Sequence, residues 1–339
     1  MRHMQAKAGT NFAAEEPTTQ SASPSGLVGG YAFLFFSVVG LAHKGIFYKL
    51  LLHHELDAAQ IIALRWFVGA PLLLLLLFRL PRVQWRLPRK REIAALLQCT
   101  TLGGVSMLLH TESFDYLPAG IAAVLVFVYP ALLVVAPAVF HRRMPATGEI
   151  LRVAVLFLCL GLLIDGVPSV TVGTLSGYAY ALAAAVAFAW QVHLSGDIMG
   201  GRYGDTAVPS LLLSLWVHLL LAGAGAGILT LHMPDPDCLA NPQVWYLVGG
   251  MAIVSAVLPF TAWLVGLARV GKINASLAAA TTPAVSAILA SFWLGEVLYA
   301  GPVAAVFLMF LAMPPRQAWQ QVLLWLRHPL GSASDPHAL

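Results

Sequence analysis

The sequence predicts an all-α integral membrane protein of ten transmembrane helices, arranged as two inverted five-helix repeats. Three observations predict it: an extreme apolar composition, a series of apolar stretches near bilayer length, and two internal matches that pair the halves of the chain in order.

Composition excludes a soluble globule. The 339 residues are 59% hydrophobic and only 10% charged, with mean hydropathy +0.80. A soluble domain carries about 25% charged residues, so this chain has too few polar groups to cover a water-facing surface. The net charge of +4 is small, and no nucleic-acid partner is expected. The cysteines, Cys99, Cys159 and Cys238, follow no metal-ligand spacing. No metal or other cofactor is expected.

A window of about 19 residues finds apolar segments at 27–51, 58–78, 92–114, 119–140, 150–166, 173–195, 207–230, 243–267, 273–295 and 299–314. Only helices and closed barrels satisfy backbone groups in lipid. Runs such as Leu72 to Phe78 lack the alternation of barrel strands, so the spans are helices. Residues 1–26 are polar, rich in Ala, Ser, Thr and Pro, and lack the short apolar core of a signal peptide. They are expected to form a disordered tail. Residues 315–339 form a second tail. In it Trp319, Val322, Leu323 and Leu326 recur at helical spacing, which predicts a short amphipathic helix.

Basic residues orient the spans. Arg79, Arg82, Arg86, Arg89, Lys90 and Arg91 follow the second span; Arg142, Arg143 and Arg152, then Arg202, then Arg269 and Lys272 mark later loops on the same side. Both tails add basic residues there. The opposite loops hold Asp57, Asp115, Asp165, Asp235 and Asp237. The positive-inside rule then places both termini in the cytoplasm. A bacterial inner membrane suits a chain without sorting signals. Arg152 stands just inside the fifth span; of the 19 Lys plus Arg, the three not on the cytoplasmic side, Lys44, Lys49 and Arg65, lie inside the first two spans.

The repeat is carried by two matches. Gly30-Tyr-Ala32 aligns with Gly177-Tyr-Ala179, and Pro130 aligns with Pro283 within similar flanks. The first pairs span one with span six, the second span four with span nine. The repeats are therefore 27–166 and 173–314. Five is odd, so the second repeat runs through the membrane inverted, and a substrate site is expected near the midplane between the halves.

The sequence from about 27 to 314 resembles the drug/metabolite transporter superfamily, in its EamA-type branch. The resemblance rests on the five-plus-five layout, Ala63-Leu-Arg65, Tyr116-Leu-Pro-Ala-Gly120, the central Pro130 and Pro283, Ser255-Ala-Val-Leu-Pro259-Phe260 and Leu294-Gly-Glu296. Phe140-His-Arg-Arg143 stands where the first half of the family has Leu-Gly-Glu. The resemblance implies a permease or exporter of small metabolites that hydrolyses no ATP. The Ser-x-x-Leu-Pro form of span eight points toward members that export amino acids.

Ionisable residues inside a span are costly, and they face a cavity or a partner. Lys44, Arg65, His110 and Glu112 fall at similar depth in spans one to three. One reading makes them a pathway for a carboxylate, with Glu112 or His110 carrying a proton, the candidate coupling ion. The other makes them an ion-pair lock of Arg65 or Lys44 with Glu112. Lys44 and Lys49 can also snorkel. The repeat places Trp190 and Gln191 opposite His43 and Lys44, and Trp263 opposite His110. Trp190, Gln191, His193 and Trp263 are thus candidates for an aromatic and amide pocket, or, for the tryptophans, an interfacial belt. Lone His218 is read as packing. Pro130 and Pro283 each remove a backbone bond near mid-span and are hinge candidates. Tyr129 and Thr282, which precede them, are candidate contacts.

No His-Glu-x-x-His, Walker loop or Gly-x-Ser-x-Gly is present, so no enzyme is expected. Two functions stay open. One is a secondary transporter of a small metabolite, an amino acid or a related zwitterion or anion, working by alternating access in the bilayer as a monomer or homodimer. The alternative is a non-transporting membrane protein: a sensor, a lipid-binding component or an unfamiliar membrane-embedded enzyme.

Overall fold

The computed structural model describes residues 24–80, 85–117, 119–142, 144–163, 172–204, 206–295, 297–298 and 300–312. The expected disordered tail before residue 24 and the amphipathic helix at 316–327 lie outside the described residues. All regular structure among the described residues is helical.

The first span is interrupted. Helix α1 (Pro24–Ala42) gives way to α2 (Lys44–Leu52) at His43, whose Nδ1 lies 2.8 Å from the Val39 carbonyl oxygen. The second span, α3 (Ala58–Arg79), begins with a capping box. Asp57 accepts from the Gln60 amide at 2.8 Å, and Gln60 Oε1 accepts from the Asp57 amide at 2.9 Å. These bonds satisfy donors that a helix start otherwise leaves open. Helix α4 (Lys90–Glu112) is the third span. At its start Glu92, buried, accepts twice from Arg86 at 2.8 Å and once from the Arg89 amide. Its hydrogen-bonded carboxylate raises the Arg86 guanidinium above its ordinary pKa.

Spans four and nine are both interrupted, and at equivalent places. Span four is α5 (Ala119–Val126) and α6 (Tyr129–His141); further on, span nine is α13 (Lys272–Ala279) and α14 (Thr282–Leu294). Pro130 and Pro283 each stand second in the later segment. A proline has no N–H to give the carbonyl four residues back, which here belongs to Val126 or Ala279. The Thr282 hydroxyl donates to the Ala279 carbonyl at 2.6 Å, so a side chain replaces the missing backbone donor.

The remaining elements are α7 (Thr147–Gly161), α8 (Val172–Met199), α9 (Ser210–Leu231), the short α10 (Pro236–Ala240), α11 (Pro242–Ala252), α12 (Leu258–Val270) and α15 (Ala300–Ala312). Helices α11 and α12 form one span through a π-helical turn at Ile253–Val257. Pro259 accounts for the turn's open carbonyl, because the i−4 acceptor it cannot reach is Ser255.

Among the described residues, eight helical stretches are long and apolar enough to cross a membrane. The expected fifth and tenth spans are shorter: α7 has 15 residues and α15 has 13. At 1.5 Å per residue these reach roughly 20–22 Å, against about 30 Å of hydrocarbon.

Packing crosses between the halves. Helix α1 lies along α12, α4 along α8, and α3 along α9; α6 meets α13, and α7 meets α15. Exchanging the two halves swaps the first two pairings, turns α6 against α13 into α5 against α14, which also meet, and leaves the α3–α9 and α7–α15 pairings in place. Close approach depends on small residues, as is usual in lipid. Ala181, Ala184 and Ala185 are buried on one face of α8, and the Ser106 hydroxyl of α4 donates to the Ala184 carbonyl at 2.8 Å. On α1, a Cβ at Gly40 would lie 2.3 Å from the Pro259 ring and 2.7 Å from the Val254 carbonyl oxygen. Only glycine fits there.

Candidate functional site

A cavity of about 200 Å³ lies where the two halves meet. Its walls follow the internal repeat. Under the offset that pairs Gly30 with Gly177, Leu41 matches Phe188 and Lys44 matches Gln191, and all four line the cavity. Under the offset that pairs Pro130 with Pro283, five more lining pairs appear: Gly103 with Ala256, Met107 with Phe260, His110 with Trp263, Val126 with Ala279, and Tyr129 with Thr282. Both helix breaks therefore open onto the cavity.

Seven of the ten residues expected at a site are brought together: Lys44, Arg65, His110, Tyr129, Gln191, Trp263 and Thr282. Three are not among the lining residues. Glu112 is exposed at the end of α4. Among the described residues neither Arg65 nor Lys44 makes an ion pair with it, as the lock, one of the two readings, would require. Trp190 is 47% exposed, whereas its neighbour Gln191 is buried. His193 packs with Trp190, ring centroids 6.1 Å apart, and approaches Asp197 at 3.4 Å.

Arg65 is 7% exposed and is held by the π-helical turn. Its Nη2 donates to the Ser255 carbonyl oxygen at 2.7 Å, and Nη1 approaches Met107 Sδ at 3.4 Å. The acceptor is the carbonyl that Pro259 leaves open. The Ser255 hydroxyl donates instead to the Met251 carbonyl at 2.8 Å. Arg65 Nε is buried with no hydrogen-bond partner. The Ser-x-x-Leu-Pro element thus has a physical role: it fixes a guanidinium beside the cavity.

The rest of the wall is aromatic. Trp263 stacks with Phe260 and Phe188 at centroid distances of 5.8 and 6.1 Å, and Phe188 meets the edge of Tyr129 at 4.6 Å. The Tyr129 hydroxyl donates to the Ser276 carbonyl at 3.3 Å. His218, expected to serve packing, also lines the cavity. Its ring meets Phe260 at 5.5 Å, and its Nδ1 lies 2.8 Å from the Ser214 carbonyl oxygen. Trp66, Phe127 and Phe188 were not singled out by sequence. The repeat marks Phe188, as the counterpart of Leu41.

A second polar centre went unnoticed in the sequence. Asp197, near the end of α8, accepts from Lys272 at 2.5 Å and from Arg202 at 2.7 Å. It ties α8 to the start of α13.

Tandem helical halves around an aromatic and cationic cavity define a multi-pass membrane transporter of a small metabolite. The EamA-like transporter family matches the chain twice, at residues 28–165 and 175–313. The chain belongs to that family. It is 29% identical to the threonine/homoserine exporter RhtA of Escherichia coli (strain K12) over 243 residues, 71% of this chain and 75% of the relative. Identity to the same exporter of Salmonella typhimurium (strain LT2) is 27% over 245 residues, again 71% and 75% of the two chains. A solved crystal structure superposes with TM-score 0.65 at 16% identity, covering 89% of this chain and 98% of that one, a likeness of fold.

Proposed function

We propose that this protein is a secondary exporter of a small metabolite, an amino acid or a related zwitterion or anion, working by alternating access between two inverted halves of five spans. The observation that carries the reading is the cavity wall: seven pairs of repeat-equivalent residues line it. A site on the axis relating two such halves can be offered to either side of the membrane by rocking one against the other. The breaks at Pro130 and Pro283 supply hinges, and the basic loops favour cytoplasmic termini. His110 is the candidate proton carrier at the cavity. Lys44, Arg65, Tyr129, Gln191, Trp263 and Thr282 are the candidate contacts. The exporter relatives support an amino-acid-like cargo.

The test is solute counterflow in proteoliposomes holding the full chain. Vesicles preloaded with a transported solute take up its labelled form against the gradient; empty vesicles do not. Failure of a broad panel of amino acids and organic acids to exchange, with folded protein, would favour a sensor or lipid-binding component instead.

A further inference from the structure

The two halves contribute unlike residues to the cavity. Its cations come from the first half: Lys44 on α2 and Arg65 on α3. The repeat replaces Lys44 by Gln191 and His110 by Trp263, and the second-half wall carries Phe188, Phe260 and Trp263 in stacked contact. No Asp or Glu lines the cavity among the described residues. Arg65 is more than nine-tenths buried, keeps one N–H without a partner, and meets only neutral acceptors. A guanidinium so placed is matched by an anion that the protein does not itself provide.

We infer that the cavity takes a net organic anion, a carboxylate on a flat apolar body, with the carboxylate between Lys44 and Arg65 and the body against the Phe188, Phe260 and Trp263 wall. This rests on the transporter reading above and narrows its cargo. An α-amino acid fits less well. Its ammonium stands two bonds from its carboxylate, so docking the carboxylate brings the ammonium beside Lys44 and Arg65, with no lining carboxylate to offset the repulsion. The aromatic wall can hold a cation, but it lines the same small cavity as Lys44 and Arg65. The cavity, about 200 Å³, is on the scale of a small-molecule site.

The experiment uses the purified full chain and four matched probes: 3-phenylpropionate, its neutral amide, phenylalanine and phenethylamine. Trp66 and Trp263 line the cavity, so tryptophan fluorescence reports occupancy, and thermal shift reports binding to the folded state. The acid is expected to bind about tenfold or more tighter than the amide, as a charge-assisted contact implies, and tighter than phenylalanine. Lys44→Gln, which copies the repeat partner, is expected to weaken the acid about tenfold and leave the amide unchanged. Equal or tighter binding of phenylalanine, equal binding of acid and amide, or equal losses for both in Lys44→Gln would each overturn the inference. If Lys44→Gln does not fold, the four probes on the unaltered chain still decide. Binding of the acid without counterflow would sink the transporter reading alone. Counterflow of phenylalanine or threonine without binding of the acid would sink the anion alone.

Discussion

The Tyr129 hydroxyl reaches the Ser276 carbonyl oxygen across 3.3 Å and so joins α6 of the first half to α13 of the second. Both helices border the breaks at the cavity. Any motion of one half against the other must strain or break this bond. Tyr129→Phe keeps the buried ring and removes the tie. The Ser276 oxygen also accepts from the Ala280 amide at 3.1 Å, so it is not orphaned. The expected loss is about 0.5–1 kcal/mol, read as a small fall in melting temperature, with faster counterflow. Slower counterflow at unchanged stability would instead put the hydroxyl on the solute.

Pro259→Ala separates helix propensity from site geometry. Alanine is about 3 kcal/mol better than proline inside an ordinary helix. Here its new N–H can compete with Arg65 at the Ser255 carbonyl and draw that oxygen toward the helix axis, and weakening a hydrogen bond to a charged group costs up to about 1.5–3 kcal/mol. The two effects nearly cancel. Melting temperature is therefore expected to change little while counterflow falls severalfold. A large rise in stability with normal transport would show that Arg65 does not depend on the open carbonyl.

Two glycines make a paired test. A Cβ at Gly103 would meet the flexible end of Gln191 at 2.3 Å, whereas one at Gly40 would meet the Pro259 ring and a backbone oxygen. Gln191 can swing aside into the cavity; the helix backbone cannot. Gly103→Ala is expected to fold and to lose transport. Gly40→Ala is expected to lose about 1–3 kcal/mol or more by overpacking, seen as poor yield and early melting. Equal behaviour of the two variants, by melting and counterflow, would contradict this division.

Asp197 offers a stability test away from the cavity. Asp197→Asn leaves Lys272 and Arg202 without their carboxylate, and a loss of about 1.5–3 kcal/mol is expected. Lys272→Met should cost less, because the lysine is 30% exposed and screened. A double-mutant cycle on melting free energies should show coupling above about 0.5 kcal/mol. Additive losses would mean that the contact contributes nothing to folding.

Composition and the repeat make much of this legible in the sequence. Apolar stretches of bilayer length locate most spans, and two short matches are enough to bring Lys44 with Gln191, His110 with Trp263, and Tyr129 with Thr282. Hydropathy does not tell which side of a span faces inward, because lipid-facing and buried positions are both apolar. Trp190 and Gln191 show the consequence: neighbours in sequence, one half-exposed and one buried. Glu112 shows it again, since depth alone groups it with Arg65 while rotation about α4 separates them. Asp197 reads as an ordinary residue near a basic loop because its partner Lys272 lies in a distant span. The Ser255 motif is visible in sequence, but its meaning depends on Arg65, which is 190 residues away.

That last contact has a consequence for descent. An imino acid at 259 offers no N–H to the Ser255 carbonyl and so leaves that oxygen freer for the guanidinium at 65. The two positions form one heritable unit across an otherwise tolerant apolar background. Among diverging relatives, Arg at 65 and Pro at 259 should be kept or lost together, and a lineage that regains an N–H at 259 should shed the arginine soon after.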